Sequence, residues 1–345
     1  MAAKDRLYVG LDVHKEFCQA CVMDAEGTIR SNDRIPSTVE DLDAFLDGFE
    51  DASFVLESTG IWEFVYETIE RHGFEAVLAH PLKVRAIAEA KVKTDKVDAR
   101  ILAHLLRADL VPRSYIPSKD MRDLRQLVRQ RAYLVQRSTS FKNRIHAELL
   151  RRGIRRPKEL VKPFTQKSTH WMRSLAIPTV NSSLDCLEAI QTQVEQLNEQ
   201  LLQEFDRRRE AQLIATIPGI GFYGALLIWA EIADVHRFPD PEHLCSYAGL
   251  TPTVSQSASK SHYGGVSKEG SKHLRWILTE SALIHVWNCP DSRLSRFHAR
   301  VARRRGKQKA TSATARKLLH VIYWMLIKDE EYHGQGFNPE LKPAA

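Results

Sequence analysis

The order of strand-like and helix-like segments near the start of this 345-residue chain constrains its fold more than any other feature. Short apolar or alternating segments predict strands at residues 7–11, 19–23, 28–35, 54–56 and 76–79. Segments at helical spacing predict helices at residues 39–49 and 61–72, with further helical segments through residue 106. An early hairpin of strands followed by strand–helix alternation predicts an α/β sheet whose later strands are parallel.

The rest of the chain predicts helices. Apolar residues at helical spacing between 119 and 152, and a heptad-like seam from 187 to 201 in a helix that begins near residue 183, predict two long helices. An antiparallel arm that supports assembly and two ordinary helices packed in one domain explain this spacing equally well. The predicted domains span residues 1–118, 119–210 and 211–330, followed by a tail at 331–345.

Composition excludes several classes of protein. Hydrophobic residues make up 43% and charged residues 27%, which is typical of a folded protein and too apolar for a disordered one. Five scattered cysteines do not form a disulfide framework, and no apolar stretch is long enough for a secretory signal or a membrane span. We therefore expect a cytoplasmic protein with no membrane partner.

Four acidic residues form the first candidate site. Asp12 and Glu57 directly follow two apolar strands, and the ends of parallel strands line the functional crevice of such a sheet. Asp95 and Asp98 lie three residues apart and share one helix face. Four such carboxylates would hold Mg²⁺ or Mn²⁺, and a pair of these ions promotes phosphodiester displacement. Helix N-caps and neutralisation of neighbouring lysines remain the alternative explanations.

The segment at residues 217–221 (IPGIG) lies between two helix-like stretches and is the second candidate. Glycines in a tight turn expose backbone N–H groups at a helix N-terminus, where a phosphate binds. This pattern is typical of a helix-hairpin-helix, which contacts the nucleic-acid backbone through Pro218, Gly219 and Gly221. A plain turn between two core helices is the equally simple alternative.

Serines with interleaved basic residues at 255–261, ahead of a glycine-rich run at 264–270, form the third candidate. A serine there would act as a nucleophile on phosphorus and form a covalent link to nucleic acid, with a nearby cation to stabilise the oxyanion. By composition alone, a surface loop explains the same residues.

The fourth feature is clustered positive charge. The chain carries 50 Lys and Arg against 43 Asp and Glu, and residues 293–317 contain ten cations and no acid. A second basic block spans residues 144–158. Such blocks favour a nucleic-acid partner over a solvated helix face, which would mix both signs. The candidate nucleic-acid contacts are Lys260, Lys268, Arg275, Arg300, Arg303, Arg304, Arg305, Lys307 and Lys309.

Two other signals are weak. Cys18 and Cys21 lie on a predicted strand without a second ligand pair at zinc spacing, so core packing explains them better than a metal. His14 and His262 lie near the proposed chemistry, but the sequence offers no partner for either.

Taken together, these motifs resemble the insertion-sequence 110 family of bacterial transposases, also called DEDD transposases. The resemblance covers nearly the whole chain. The matching segments are residues 9–15 (VGLDVHK), 56–60 (LESTG), 95–100 (DKVDAR), 217–221 (IPGIG) and 247–252 (YAGLTP), the last running on to 264–275.

The resemblance implies a RuvC-like N-terminal domain of RNase H type, a helical arm and a mainly helical C-terminal transposase domain. It implies that Asp12, Glu57, Asp95 and Asp98 are the metal ligands, with two Mg²⁺ or Mn²⁺ ions. The family's nucleophilic serine falls at Ser257, where Ala258 replaces the usual glycine and Ser255 and Ser259 flank the site.

The same resemblance implies a composite active site, with the metal domain of one subunit meeting the serine domain of another. It further implies cleavage and exchange of target and donor DNA through a covalent phosphoserine, assembly as a dimer or tetramer, and guidance by a noncoding RNA.

Two other functions remain open at this stage. A RuvC-like nuclease or junction resolvase would hydrolyse DNA with metal-bound carboxylates and water, and would be indifferent to Ser257. A non-catalytic nucleic-acid-binding protein would use the 217–221 turn and the basic tail, and would bind without the four carboxylates.

Overall fold

A computed structural model of the chain describes residues 6–58, 60–88, 94–257, 260–267 and 270–333, and does not describe the side chains of residues 254–263. The chain divides into two compact units, Met1–Ile116 and Pro117–Ala345. The finer three-domain division predicted from the sequence is not tested by this split and stays a prediction.

The first unit is built on one five-stranded mixed sheet. In chain order its strands are β1 (Leu7–Val13), β2 (Phe17–Met23), β3 (Ile29–Pro36), β4 (Ala52–Glu57) and β5 (Glu75–Ala79). Their order in the sheet is β3-β2-β1-β4-β5, with antiparallel pairing on the β2 side of β1 and parallel pairing on the β4 side. The predicted α/β organisation, with an early hairpin and later parallel strands, is confirmed.

Helices cover both faces of this sheet. They are α1 (Val39–Leu46), α2 (Trp62–Arg71), α3 (Pro81–Ile87) and α4 (Asp95–Arg107). Leu11 and Leu56, paired across β1 and β4, face the core formed with α1 and α2. Because side chains alternate along a strand, the preceding pair, Gly10 and Val55, faces α4. Any site on the α4 face is therefore built from Gly10, its alternate neighbours and the helix above them.

The second unit is mainly helical. Its helices are α5 (Lys119–Arg151), α6 (Gln166–Ser174), α7 (Pro178–Asp206), α8 (Arg209–Ala215), α9 (Phe222–Ile232), α10 (Pro241–Tyr247), α11 (Lys272–Asn288), α12 (Arg293–Arg305) and α13 (Lys307–Lys328). The core surrounds α9, in which residues 223–232 are all buried. The long helices α5 and α7 pack against each other, as their apolar spacing predicts.

Two details of the predicted second unit are wrong. The helix expected to begin near residue 183 begins at Pro178, because proline is well tolerated in a first helical turn, where its missing N–H costs no hydrogen bond. The Gly/Ser-rich stretch at 251–272, expected as a loop, forms an antiparallel hairpin of β6 (Pro252–Ser257) and β7 (Lys260–Val266). Within the described residues, no helix is long and apolar enough to span a bilayer.

Candidate functional site

A glycine in the central strand lets α4 approach the sheet closely. A Cβ at Gly10 would lie 2.5 Å from Ala103 N and would also collide with Ala99 O, both on the backbone of α4. Only glycine fits this distance between strand and helix. The contact sets the first turn of α4, which carries Asp95 and Asp98, over the end of β1, which carries Asp12.

Three side chains meet at the end of β1. His14 Nε2 lies 3.1 Å from Asp12 Oδ2 and 3.5 Å from Asp95 Oδ1. One ligand atom from each of Asp12, His14 and Asp95 lies within 4.8 Å of the other two, so the three form a candidate metal-binding group. The sequence found no partner for His14, and that reading is wrong because the short turn after β1 brings its ring back to Asp12 and up to α4.

The candidate group is held from two sides. Thr94 is the N-cap of α4 and accepts a hydrogen bond from Val97 N, which fixes where the helix begins. Arg34 on β3 donates to Asp95 Oδ2 at 3.2 Å, and its guanidinium also lies 4.2 Å from the ring centre of Phe17. Asp95 is therefore oriented before any ligand arrives.

The other two predicted carboxylates lie in the same region but outside the three-residue group. Glu57 ends β4 and follows Leu56, the partner of Leu11, so the alternation of the strands directs Glu57 and Asp12 to the same face. Asp98 lies in the first turn of α4 with Asp95, near enough to Asp12 to raise the pKa of that carboxyl electrostatically. The fold thus brings Asp12 and Asp95 into direct proximity, with Glu57 and Asp98 beside them.

The raised pKa of Asp12 indicates that the positive charge around it does not fully balance its carboxylate. Asp12 is only 7% exposed, and burial raises the pKa of its carboxyl above the usual value. His14 opposes that rise, whereas the charges of Asp98 and Asp95 add to it. Bringing these acids together costs free energy unless a cation balances them.

The donor set suits a divalent cation. Carboxylate oxygens are the preferred ligands of Mg²⁺ and Mn²⁺, and a neutral imidazole is tolerated by Mn²⁺. Gln19, paired with Asp12 across β1 and β2, adds a further oxygen: within the described residues its buried Oε1 has no hydrogen-bond donor. A buried acceptor without a donor, next to a carboxylate with a raised pKa, fits a site that takes a cation.

The predicted nucleophile lies on the hairpin of the second unit. Ser257 is the last residue of β6 and pairs in register with Lys260, the first residue of β7. Ser255 pairs with His262 two residues further from the tip. The side chains of these four residues, as well as Ser259 and Lys268, lie outside the part of the chain that the structure describes.

A buried ion pair anchors the base of this hairpin. Glu231, at the end of α9, is fully buried and receives Arg129 Nε at 2.7 Å and Nη2 at 3.0 Å. Ser271, the N-cap of α11 just after β7, donates its hydroxyl to Glu231 Oε2 at 2.7 Å. Tyr247, shortly before β6, donates its hydroxyl to the backbone oxygen of Glu231 at 3.1 Å. Through its carboxylate and its backbone oxygen, Glu231 therefore ties α5 to the chain segments on both sides of the hairpin.

The charge of Glu231 is fully balanced. Burial alone would raise its pKa, but the hydrogen bonds and charge of Arg129, together with Ser271, hold the pKa of this carboxyl below its usual value. The sequence analysis did not identify this residue. The available signal was a single acid at the end of a long apolar helix.

The 217–221 turn joins α8 to α9 as predicted, but part of it serves packing. Gly219 has a φ of +99°, and a Cβ there would lie 2.8 Å from His285 N. Pro218 O lies 2.8 Å from His285 Nδ1, within hydrogen-bond distance. At Gly221, by contrast, a Cβ would meet open space. Of the three predicted backbone contacts, Gly221 is therefore the most accessible.

The predicted basic contacts fall into two groups. Arg275, on α11, is half-buried, and its guanidinium donates to Ala248 O at 3.4 Å, so it supports the segment before β6. The remaining described cations are exposed at the end of α12 or the start of α13, namely Arg300, Arg303, Arg304, Arg305, Lys307 and Lys309.

Comparison with known protein families gives two matches. A family model described as "Transposase", of the DEDD type, matches residues 9–152. A second, described as "Transposase IS116/IS110/IS902 family", matches residues 211–301. The first match contains the four carboxylates and Arg129, and the second contains the serine hairpin, the 217–221 turn and Glu231.

Curated relatives resemble the chain along most of its length. A transposase for insertion sequence element IS1111A of Coxiella burnetii is 27% identical over 346 residues, which covers 95% of this chain and 92% of that protein. A pilin gene-inverting protein of Moraxella lacunata is 26% identical over 347 residues, covering 95% and 98%. The corresponding protein of Moraxella bovis is 28% identical over 292 residues, covering 81% of each.

Proposed function

This chain belongs to the IS116/IS110/IS902 family of transposases, which are DNA recombination enzymes, and on that basis we propose that it cleaves and exchanges DNA strands through a serine nucleophile and a carboxylate-bound metal centre. The observation that carries the proposal is the convergence of Asp12 and Asp95 on His14, with Glu57 and Asp98 beside them. The β3-β2-β1-β4-β5 order supports the RNase H-like, RuvC-like assignment of the first unit.

In the proposed metal centre, Asp12, Glu57, Asp95 and Asp98 hold two Mg²⁺ or Mn²⁺ ions. When bound, such ions neutralise phosphate charge and favour in-line displacement. His14 and Arg34 keep Asp12 and Asp95 in place, and the closeness of α4 to Gly10 fixes the distance between the two aspartates. The family assignment supports divalent-metal use, and the donor set is compatible with it.

In the proposed cleavage step, the Ser257 hydroxyl oxygen attacks a DNA phosphorus. A serine–phosphorus bond forms, the bond from phosphorus to one deoxyribose oxygen breaks, and that oxygen leaves as a hydroxyl after it takes up a proton. The serine proton passes to solvent, so atoms and charge balance without an oxidant or reductant. Attack by a deoxyribose hydroxyl of another strand reverses the step, releases the serine and completes the exchange.

Assembly, guidance and DNA contact complete the proposal. The paired helices α5 and α7, within the predicted arm at 119–210, support a dimer or tetramer in which one subunit's serine meets another's metal centre. A noncoding RNA guides the choice of target and donor DNA. Gly221 and the exposed cations of α12 and α13, with Lys260 and Lys268, contact phosphates of the DNA or the RNA.

A protein–DNA adduct assay tests the nucleophile. Purified protein is incubated with Mg²⁺, a plasmid that carries the flanks of the gene, and RNA transcribed from those flanks. The mixture is denatured and digested with nuclease, and the serine peptides are examined by mass spectrometry. We expect an adduct at Ser257 with the wild type, and none with Ser257→Ala.

Matched variants separate the alternatives. Ser255→Ala and Ser259→Ala change the same hydroxyl within two residues and should keep the adduct, whereas Asp12→Asn should lose it while DNA binding persists. Free 5′-phosphate ends without any adduct, unaffected by Ser257→Ala, would instead establish a water-dependent nuclease. DNA binding that is salt-sensitive but accompanied by no cleavage under any condition would leave a binding protein only.

A further inference from the structure

A groove of about 730 Å³ lies between α12 and α13 in the second unit. Its α12 side presents Arg293, Arg296, Phe297 and Arg300, which are spaced so that they share one helix face. Its α13 side presents residues at matching helical spacing, namely Ala313, Arg316, Lys317, His320, Val321 and Trp324, and Tyr332 lies just beyond the helix. Two adjoining helix faces thus form a single concave surface.

The groove is strongly cationic and uncompensated. Five of its side chains carry a positive charge, Arg293, Arg296, Arg300, Arg316 and Lys317. In the described part of the chain, none of these five lies within ion-pair distance of a carboxylate. At the side of the groove, Glu242 Oε1 lies 3.9 Å from His320 Nε2. Such a concentration of unbalanced charge in a concave surface attracts a polyanion.

The groove also contains aromatic rings, which distinguishes it from a purely electrostatic surface. Phe297, Trp324 and Tyr332 contribute to the lining, and Lys317 Nζ lies 4.2 Å from the ring centre of Phe297. Cations interleaved with aromatic rings are typical of surfaces that bind single-stranded nucleic acid, where phosphates contact the cations and unstacked bases contact the rings. A duplex keeps its base faces stacked and cannot use the rings.

We propose that the α12–α13 groove holds an unpaired DNA strand. This inference rests on the proposed function, because strand cleavage and exchange release unpaired DNA next to the protein. We assign the strand to DNA rather than RNA because DNA is the substrate of the family and the strands that cleavage separates are DNA.

The sequence predicted that the whole basic block at residues 293–317 contacts nucleic acid, but only part of this block lines the groove. Of the predicted contacts, only Arg300 lines the groove, whereas Arg303, Arg304, Arg305, Lys307 and Lys309 do not. Arg293, Arg296, Arg316 and Lys317 belong to the same block and do line it. We therefore assign the cations that line the groove, Arg300 included, to the unpaired strand. The cations outside the groove are left to contact phosphates of duplex DNA or of RNA.

Binding of a fluorescent oligothymidylate of about twelve nucleotides to the full-length protein tests the proposal, measured by anisotropy across a salt series. Arg296→Gln should lower the slope of log affinity against log salt by about 0.7, the value for one lost single-strand phosphate contact. Phe297→Leu, which changes no charge, should weaken affinity about fivefold or more, the effect of losing one base–aromatic contact.

Two controls make the result specific. Arg137→Gln removes an exposed arginine that also lies beside an aromatic ring, Tyr133, but is outside the groove, and should leave affinity unchanged. Ser257→Ala should abolish the adduct yet bind the oligothymidylate as the wild type does, so failure of the nucleophile and failure of the groove are distinguishable.

Three results would overturn the inference. The first is oligothymidylate affinity within twofold of wild type for both Arg296→Gln and Phe297→Leu. The second is a duplex of equal length that binds as tightly as the single strand and is equally weakened by Phe297→Leu. The third is oligouridylate binding several-fold tighter than oligothymidylate, which would assign the groove to RNA.

Discussion

Replacing Gly10 with alanine tests how the fold positions the metal centre, because it alters none of the proposed ligands. The new Cβ would lie 2.5 Å from Ala103 N, whereas ordinary contacts begin near 3.4 Å. Backbone atoms of a packed helix cannot rotate away as a side chain can. α4 must therefore move outward by about 1 Å, and the first turn that carries Asp95 moves with it.

The size of the effect follows from this displacement. Overpacking of this kind costs about 2 kcal/mol. The first unit comprises Met1–Ile116, and an unfolding entropy of about 2.1 cal/mol/K per residue makes that penalty a fall in Tm of about 8 °C. Moving Asp95 by about 1 Å away from Asp12 and His14 also widens a ligand set whose atoms now lie within 4.8 Å of one another, so Mg²⁺ should bind more weakly.

Differential scanning calorimetry with and without Mg²⁺ measures both effects. Gly48→Ala is the matched control, because it makes the same substitution in the same unit, and its nearest neighbour, Phe45 O, lies at an ordinary 3.4 Å. We expect Gly10→Ala to lower the Tm and to reduce the Mg²⁺-dependent rise, and Gly48→Ala to do neither. Equal behaviour of the two variants would refute the idea that α4 packing over Gly10 sets the geometry of the site.

Two further predictions concern charge. Arg129→Met should destabilise the second unit by about 3 kcal/mol in urea denaturation, because it leaves Glu231 buried and unpaired, and adding Glu231→Leu should recover most of that loss. The pKa of Glu231 in the folded protein lies below its usual value of 4.5, so the ion pair stabilises the fold fully above pH 4.5 and less as pH falls through the folded pKa. The loss of stability in Arg129→Met should therefore shrink in acid. A loss of stability that does not change with pH would contradict this. Asp12→Asn should be at least as stable as wild type in EDTA at pH 7. Burial raises the pKa of Asp12 in the folded protein, so its ionisation beside Asp95 destabilises the wild type as pH rises through that pKa, and asparagine has no charge to bury. Added Mg²⁺ should raise the Tm of wild type and not of Asp12→Asn, and a thermal shift equal in both proteins would exclude Asp12 as a ligand.

The parts of the structure that were predictable are those with a clear local pattern of apolar residues. Short apolar runs located β1 and β4, and parallel pairing then placed Asp12 and Glu57 at the same edge of the sheet. The helical spacing of α5 and α7 was equally clear. These patterns are readable because burial sets them within each element: both faces of β1 and β4 are buried, and one face of each long helix is.

The parts that were missed depend on contacts between distant residues. His14 gains its role only because the β1–β2 turn, closed by His14 N donating to Phe17 O at 2.9 Å, folds its ring toward Asp95, some eighty residues later. Glu231 and Arg129 lie on different helices 102 residues apart. The β6–β7 hairpin is hidden because its serines and glycines have low strand propensity, so cross-strand pairing rather than composition creates it.

The two units treat buried acidic charge in opposite ways, and this difference predicts where metal acts. In the second unit, Glu231 has its cation within the chain, so its pKa falls and its stability needs no added ion. In the first unit, burial and the charges of two further aspartates outweigh the effect of His14 on Asp12, so its pKa rises and its ionised form is destabilised. A divalent cation can stabilise only a site whose acidic charge is incompletely balanced, which is the case at Asp12 and not at Glu231. Mg²⁺ should therefore stabilise the first unit and leave the second unchanged, and hydrogen exchange resolved by peptide should slow in β1 and the first turn of α4 but not around Glu231.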